Sequence, residues 1–237
     1  MTPLHEFLFG IYPYICLTIL FLGSIVRYDR EAYSWKSDTS QTLRRRQLRL
    51  GSNLFHYGIG VIAIGHFVGF LIPELFVRWL LNPANHELLA MVSGGLAGIA
   101  AILGLSILLH RRLSDPRVRA NTRKWDVVVV LFLLAQLALG LSTIYFSALS
   151  LGGPDFELLI QYVKGLVTFQ LDAARLIVNV PLVYKVHIVV GFTIFLITPF
   201  TRLVHIWSGL ATLGYLIRPY QLVRSPRSPR ARKVSPL

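Results

Sequence analysis

The sequence predicts an all-α integral membrane protein: five transmembrane helices in a bundle, N-terminus outside, C-terminus cytoplasmic, with an interfacial helix between the fourth and fifth spans. Three observations carry the prediction. Of the 237 residues, 54% are apolar and 15% charged, whereas a soluble domain carries roughly 25% charged residues. Five apolar runs, at 7–26, 51–72, 88–109, 127–147 and 182–206, are long enough to cross a hydrocarbon layer about 30 Å thick at about 1.5 Å of helix per residue. The basic residues, finally, fall on alternate connections. The first connection holds seven (Arg27, Arg30, Lys36, Arg44, Arg45, Arg46, Arg49), the third six (Arg111, Arg112, Arg117, Arg119, Arg123, Lys124) and the C-terminal segment six (Arg218, Arg224, Arg227, Arg230, Arg232, Lys233). The second holds only Arg78 and the fourth Lys164 and Arg175. Basic connections stay inside. The net charge of +13 therefore reads as membrane topology rather than as a nucleic-acid surface.

The first run follows MTPLHEF, which has neither a basic n-region nor a small-residue cleavage pattern, so it is expected to be retained as a span. Its Cys16 is the sole cysteine, which excludes an internal disulfide and an iron–sulfur cluster held by thiolates of this chain. The second run has no charged residue across its 22 positions yet contains His56 and His66. Ionisable groups at such depth are functional candidates by default. In the third run Gly94 and Gly98 have the small-xxx-small spacing of packed helices. Between the fourth and fifth runs, FELLIQYVKGLVTF (156–169) places Glu157, Gln161 and Lys164 on one face of an otherwise apolar helix, which suits the membrane interface. The fifth run carries His187 and His205, eighteen residues apart, and at about 100° per residue they return to one stripe of the helix. The chain divides into a membrane domain, 1–224, and a basic Pro/Ser/Arg-rich tail, 225–237, expected to be disordered and drawn to anionic lipid heads.

The second and fifth spans run in opposite directions, so His66 and His187 both lie toward the outer face and His56 and His205 both toward the inner face. Two antiparallel helices thereby present two imidazole pairs at two depths, the arrangement that holds two haems, each iron taking a histidine from either side. One misfit is plain: His56 to His66 covers about 15 Å of helix and His187 to His205 about 27 Å. A kink at Pro199 is one remedy. Gly58, Gly65, Gly69 and Gly191 would either admit a macrocycle or serve helix contact. Without a C-x-x-C-H sequence the haems are expected to be b-type. A proton relay would recruit carboxylates, and the five runs contain none. A zinc protease motif fails because His86-Glu87 is followed by Ala90 in place of the second histidine. Arg202, one turn before His205, and Arg111 and Arg112 at the inner end of the third span are candidate partners for haem propionates.

IYPYI (11–15), GSIVRYDREAYSW (23–35), SNLFHYGIGVIAIGHFVG (52–69), RRLSDPRVRA (111–120), HIVVGFTIFLITPFTRLVHIW (187–207) and YQLVR (220–224) together resemble the gamma subunit, a dihaem cytochrome b, of bacterial membrane-bound respiratory nitrate reductase. The resemblance implies a quinol-oxidising subunit of the bacterial cytoplasmic membrane. His66 and His187 would ligate the outer haem iron and His56 and His205 the inner one. Quinol, menaquinol or ubiquinol, would be oxidised near the outer haem, with His66, Gly65, Gly69 and His86 as candidate site residues; the family pattern carries lysine at the position of His86. Electrons would pass to a cytoplasmic iron–sulfur (beta) subunit and on to a molybdenum catalytic (alpha) subunit, where nitrate is reduced. The competing expectations are a dihaem cytochrome serving another iron–sulfur oxidoreductase, and a haem-free transporter or membrane anchor.

Overall fold

The computed structural model describes residues 2–31, 45–72, 83–120, 122 and 124–207; the tail 225–237 and the YQLVR segment lie outside them. Five helices are long and apolar enough to cross a membrane: span 1 (Pro3–Arg30), span 2 (Arg46–Leu71), span 3 (Asn85–Ser114), span 4 (Lys124–Leu149) and span 5 (Leu182–Phe200). The first four overrun the expected apolar cores at their polar ends, since amphipathic and charged side chains continue a helix into the interface at little cost. Span 5 is shorter than the expected run, and the reason is its proline.

Each proline inside a span changes the helix. Pro13 lacks an N–H and crowds the carbonyl four residues back, that of Phe9, and the turn Phe7–Ile11 widens to a π-helix. The fully buried Tyr162 donates its hydroxyl to that Phe9 carbonyl at 2.9 Å. Burial pushes the Tyr162 phenol well above its ordinary range, so it remains a neutral donor. Pro199 acts more severely. The α-helix Leu182–Ile197 gives way to a 3₁₀ turn Thr198–Phe200, then to extended Thr201 (φ −121°, ψ −178°), then to a second 3₁₀ segment Arg202–Trp207. The Arg27 guanidinium, from the end of span 1, donates through Nη1 to the Pro199 carbonyl at 2.6 Å and the Thr201 carbonyl at 2.8 Å. A backbone broken at membrane depth needs such replacement partners.

The spans pack in the order 2, 3, 4, 5, 1, and spans 2 and 5 face each other without comparable packing. Glycine sets the closeness of the first contact. A Cβ on Gly58 would lie 2.6 Å from the Ala97 carbonyl oxygen, and one on Gly104 would lie 2.6 Å from that of Gly51. Gly58 therefore serves helix contact, not a macrocycle. Gly98 likewise meets Leu141 of span 4, whereas Gly94 faces open space.

The expected interfacial helix is present at Pro154–Val167. Its Leu159, Tyr162 and Leu166 form a core with Phe9, Ala173, Ala174, Ile177, Val180 and Tyr184, which closes the bundle at the end carrying the N-terminus. The turn before it needs glycine at 152, where φ is +75°. The Gly152 N–H donates to Glu87 Oε2 at 2.9 Å, so this carboxylate, 3% exposed, ties span 3 to the turn.

Candidate functional site

The gap between spans 2 and 5 contains the four histidines in two pairs. Near the N-terminal end the rings of His66 and His187 have centres 6.4 Å apart and planes at 38°. Near the opposite end His56 and His205 have centres 6.1 Å apart and planes at 68°. The misfit in axial distance resolves at the break in span 5. Residues 187 to 197 continue as α-helix, but the 3₁₀ turns and extended Thr201 redirect the chain so that His205 comes abreast of His56.

Three of the four imidazoles are held in the same way. Nδ1 lies 2.7 Å from the Ser52 carbonyl in His56, 2.9 Å from the Ile62 carbonyl in His66 and 2.5 Å from the Arg202 carbonyl in His205. A carbonyl only accepts, so Nδ1 carries the proton and Nε2 keeps its lone pair, the form that binds a metal. His187 is held through its backbone instead. The Gln136 amide of span 4 donates to the His187 carbonyl at 3.1 Å and stands 3.4 Å from its Nε2, while Nδ1 is buried without a hydrogen-bond partner. The His187 ring fits because residue 140 is glycine: a Cβ there would come within 3.1 Å of Cε1.

Do these residues suit a haem? An imidazole nitrogen binds a metal at about 2.0–2.1 Å and sits about 1.1 Å from its ring centre, so two ligands on opposite sides of one ion have ring centres about 6.3 Å apart. Both observed separations match that value. Among the described residues no group of three or more His, Cys, Asp or Glu is placed to hold a metal, so an ion between either pair would draw its remaining ligands from elsewhere. A porphyrin supplies four nitrogens in the plane between two such rings. A Cβ on Gly65, next to His66 in sequence, would meet nothing within 4 Å, so no protein atom crowds the helix surface there. Gly191 differs, since a Cβ would lie 3.0 Å from Gln136 Nε2. The residues fit the group.

The arginines are arranged around an acid that the sequence placed outside the spans. Asp126, in the first turn of span 4 and 8% exposed, accepts from Arg202 Nε at 2.6 Å, and Arg112 Nη1 lies 3.7 Å from its other oxygen. Arg111 is 2% exposed. Arg202 and Arg112 are thus engaged by Asp126, and a propionate would join an existing ion cluster. Asp126 and Gln136 are the functional candidates that sequence reasoning missed. A lone glutamine in an apolar run was the available signal for one; Asp126 gave none, being one position before the expected span.

The remaining quinol-site candidates gather at the N-terminal end. His86 packs edge-on to Phe156 with ring centres 5.3 Å apart, and its Nε2 lies 3.7 Å from where a Cβ on Gly69 would stand. His66 meets Phe70 edge-on at 5.5 Å. His86 and Gly69 are therefore neighbours, and Gly65 and His66 lie one turn before Gly69 on span 2. His5, which contacts the Ala174 carbonyl at 2.8 Å, and His110, beside Ser114, belong to neither pair.

The sequence model of the nitrate reductase gamma subunit family matches residues 5–226. The respiratory nitrate reductase 2 gamma chain of Escherichia coli (strain K12) is 45% identical over 224 residues, 94% of this chain and 98% of that one. The respiratory nitrate reductase 1 gamma chain of the same strain is 42% identical over 226 residues, 95% and 99%. The nitrate reductase gamma chain of Bacillus subtilis (strain 168) is 37% identical over 220 residues, 92% and 97%.

Proposed function

Because the chain belongs to the nitrate reductase gamma subunit family, we propose that this membrane subunit oxidises quinol at its N-terminal end and conducts the electrons, through two b haems, to a cytoplasmic iron–sulfur subunit and a molybdenum nitrate-reducing subunit. The observation that carries the reading is the pair of histidine separations, 6.4 and 6.1 Å, at two depths of one gap. His66 and His187 would hold one haem, His56 and His205 the other, and each haem when bound supplies a one-electron iron couple. Spans 2 and 5 fix the two sites relative to each other, so that electrons step along the gap rather than through solvent. The basic connections, expected on the inside, support a reading in which the N-terminal end lies at the outer face of the bacterial cytoplasmic membrane.

Each quinol gives up two electrons and two protons. The electrons move inward along the gap. His86, beside Gly69, would accept a quinol proton and hand it outward. Charge is separated across the membrane without a proton channel, and nitrate never meets this chain. Arg111, Arg112 and Arg202 add positive charge at the inner end, where propionates are carboxylates.

The test is quinol-driven reduction of the chain's b-type absorbance in membranes. His66→Ala should slow it by more than about tenfold, since even the outer partners of metal ligands matter by about 10–100-fold. His56→Ala should leave the first reduction intact and block transfer to the cytoplasmic subunits. Wild-type rates of quinol reduction in His66→Ala would overturn the assignment.

A further inference from the structure

The geometry assigns to Asp126 the role of positioning residue for the inner histidine pair: its carboxylate anchors Arg202, whose backbone carbonyl orients the His205 imidazole. The inference rests on the dihaem reading above and adds a residue to it. His205 lies beyond the break in span 5, on a 3₁₀ segment of six residues. Such a segment has poorer hydrogen-bond geometry than an α-helix and does not fix its own direction. Something outside it must. The His205 ring itself is exposed, so packing does not hold it; its Nδ1 bond to the Arg202 carbonyl, at 2.5 Å, does. That carbonyl belongs to the residue whose side chain donates to Asp126 at 2.6 Å.

Asp126 is a firm anchor for two reasons. It sits in the first turn of span 4, an uninterrupted helix of 26 residues, where a carboxylate also favours the helix dipole. It is buried, and Arg112 from the end of span 3 approaches its second oxygen. Three elements, the end of span 3, the start of span 4 and the displaced end of span 5, thus meet at one carboxylate. Removing a partner from a buried ion pair is far more disruptive than removing a surface one. Arg27 holds the Pro199 and Thr201 carbonyls, Val204 is buried and Trp207 packs on Phe21, and at Arg202 itself the holding contact is Asp126. His187 has no comparable need, because it lies within the regular helix Leu182–Ile197.

The test uses the full complex carrying Asp126→Asn, Arg202→Gln and the double variant, with haem content, redox titration and low-spin EPR signals read for each haem. Asp126→Asn keeps the shape and loses the charge-assisted bond. The expected result is two haems per chain, with the inner haem's midpoint and EPR signal displaced and the outer haem's unchanged. Arg202→Gln should displace the same signal, and the double variant should be no worse than the more affected single one, as for two ends of one contact. Asp126→Ala should lose the inner haem in preference to the outer. An unaltered inner haem in Asp126→Asn, equal displacement of both haems, or additive effects in the double variant would each overturn the assignment. If the variants fail to assemble, hydrogen–deuterium exchange of the wild type decides: protection of 202–207 equal to that of the α-helical part of span 5 supports the anchor, and fraying there overturns it. Wild type lacking haem would instead defeat the dihaem reading itself.

Discussion

Glycine illustrates how one residue type takes opposite roles at two positions seven residues apart in span 2. At Gly58 a Cβ would lie 2.6 Å from the Ala97 carbonyl oxygen and 2.8 Å from the Ala101 nitrogen, both backbone atoms that cannot step aside. At Gly65 it would meet nothing. Gly58→Ala is therefore expected to destabilise the chain by about 1–3 kcal/mol, the usual penalty of overpacking. Gly65→Ala should leave the melting temperature in detergent unchanged or slightly raised, because alanine is the better helix former, while lowering haem content at the neighbouring pair. Thermal melts and haem assays on the two variants check both. The sequence offered helix contact and macrocycle access as equal readings for these glycines, because spacing alone does not say which face of a helix looks at a neighbour. The four histidines were legible for a simpler reason: imidazoles are rare in apolar runs, and four of them at matched sides of two spans leave few alternatives. Asp126 was not legible, since a carboxylate next to Lys124 and Trp125 reads as an ordinary interfacial residue until Arg202 is brought to it.

At the scale of elements, length and hydropathy were sufficient to read the five spans, because a bilayer of fixed thickness imposes a minimum run, and the one-faced spacing of Glu157, Gln161 and Lys164 was sufficient to read the helix between spans 4 and 5. The course of span 5 was not. Pro199 announces a kink, but its direction depends on what captures the freed carbonyls, and that is Arg27, 172 residues earlier in sequence from the first of them. Pro199→Ala would restore the missing N–H and allow the α-helix to continue past Ile197. His205 would then be carried along the axis away from His56, restoring the mismatch of about 15 Å against 27 Å that a straight span implies. The expected outcome is loss of the inner haem with retention of the outer one, read from the split of b-type signals in a redox titration. Retention of both with unchanged midpoints would show that the break is not what aligns the inner pair.

For the whole molecule, the packing order 2, 3, 4, 5, 1 leaves a gap between spans 2 and 5, and across it His66 faces His187 and His56 faces His205. Neither hydropathy nor charge predicts such an order, because lipid and helix are equally apolar neighbours and small residues decide which backbones approach. The gap, the three tautomers fixed by backbone carbonyls and the ring separations are the observations on which the proposed two-centre electron path rests, in a chain whose relatives are nitrate reductase gamma chains. The most direct measurement is haem stoichiometry by pyridine haemochrome on the purified chain, alone and as His66→Ala and His56→Ala. Two b haems per chain, falling to one in each variant and to a different one in each, is the predicted result. A wild-type chain without haem when produced with ample haem supply, or variants that both retain two, would contradict the account.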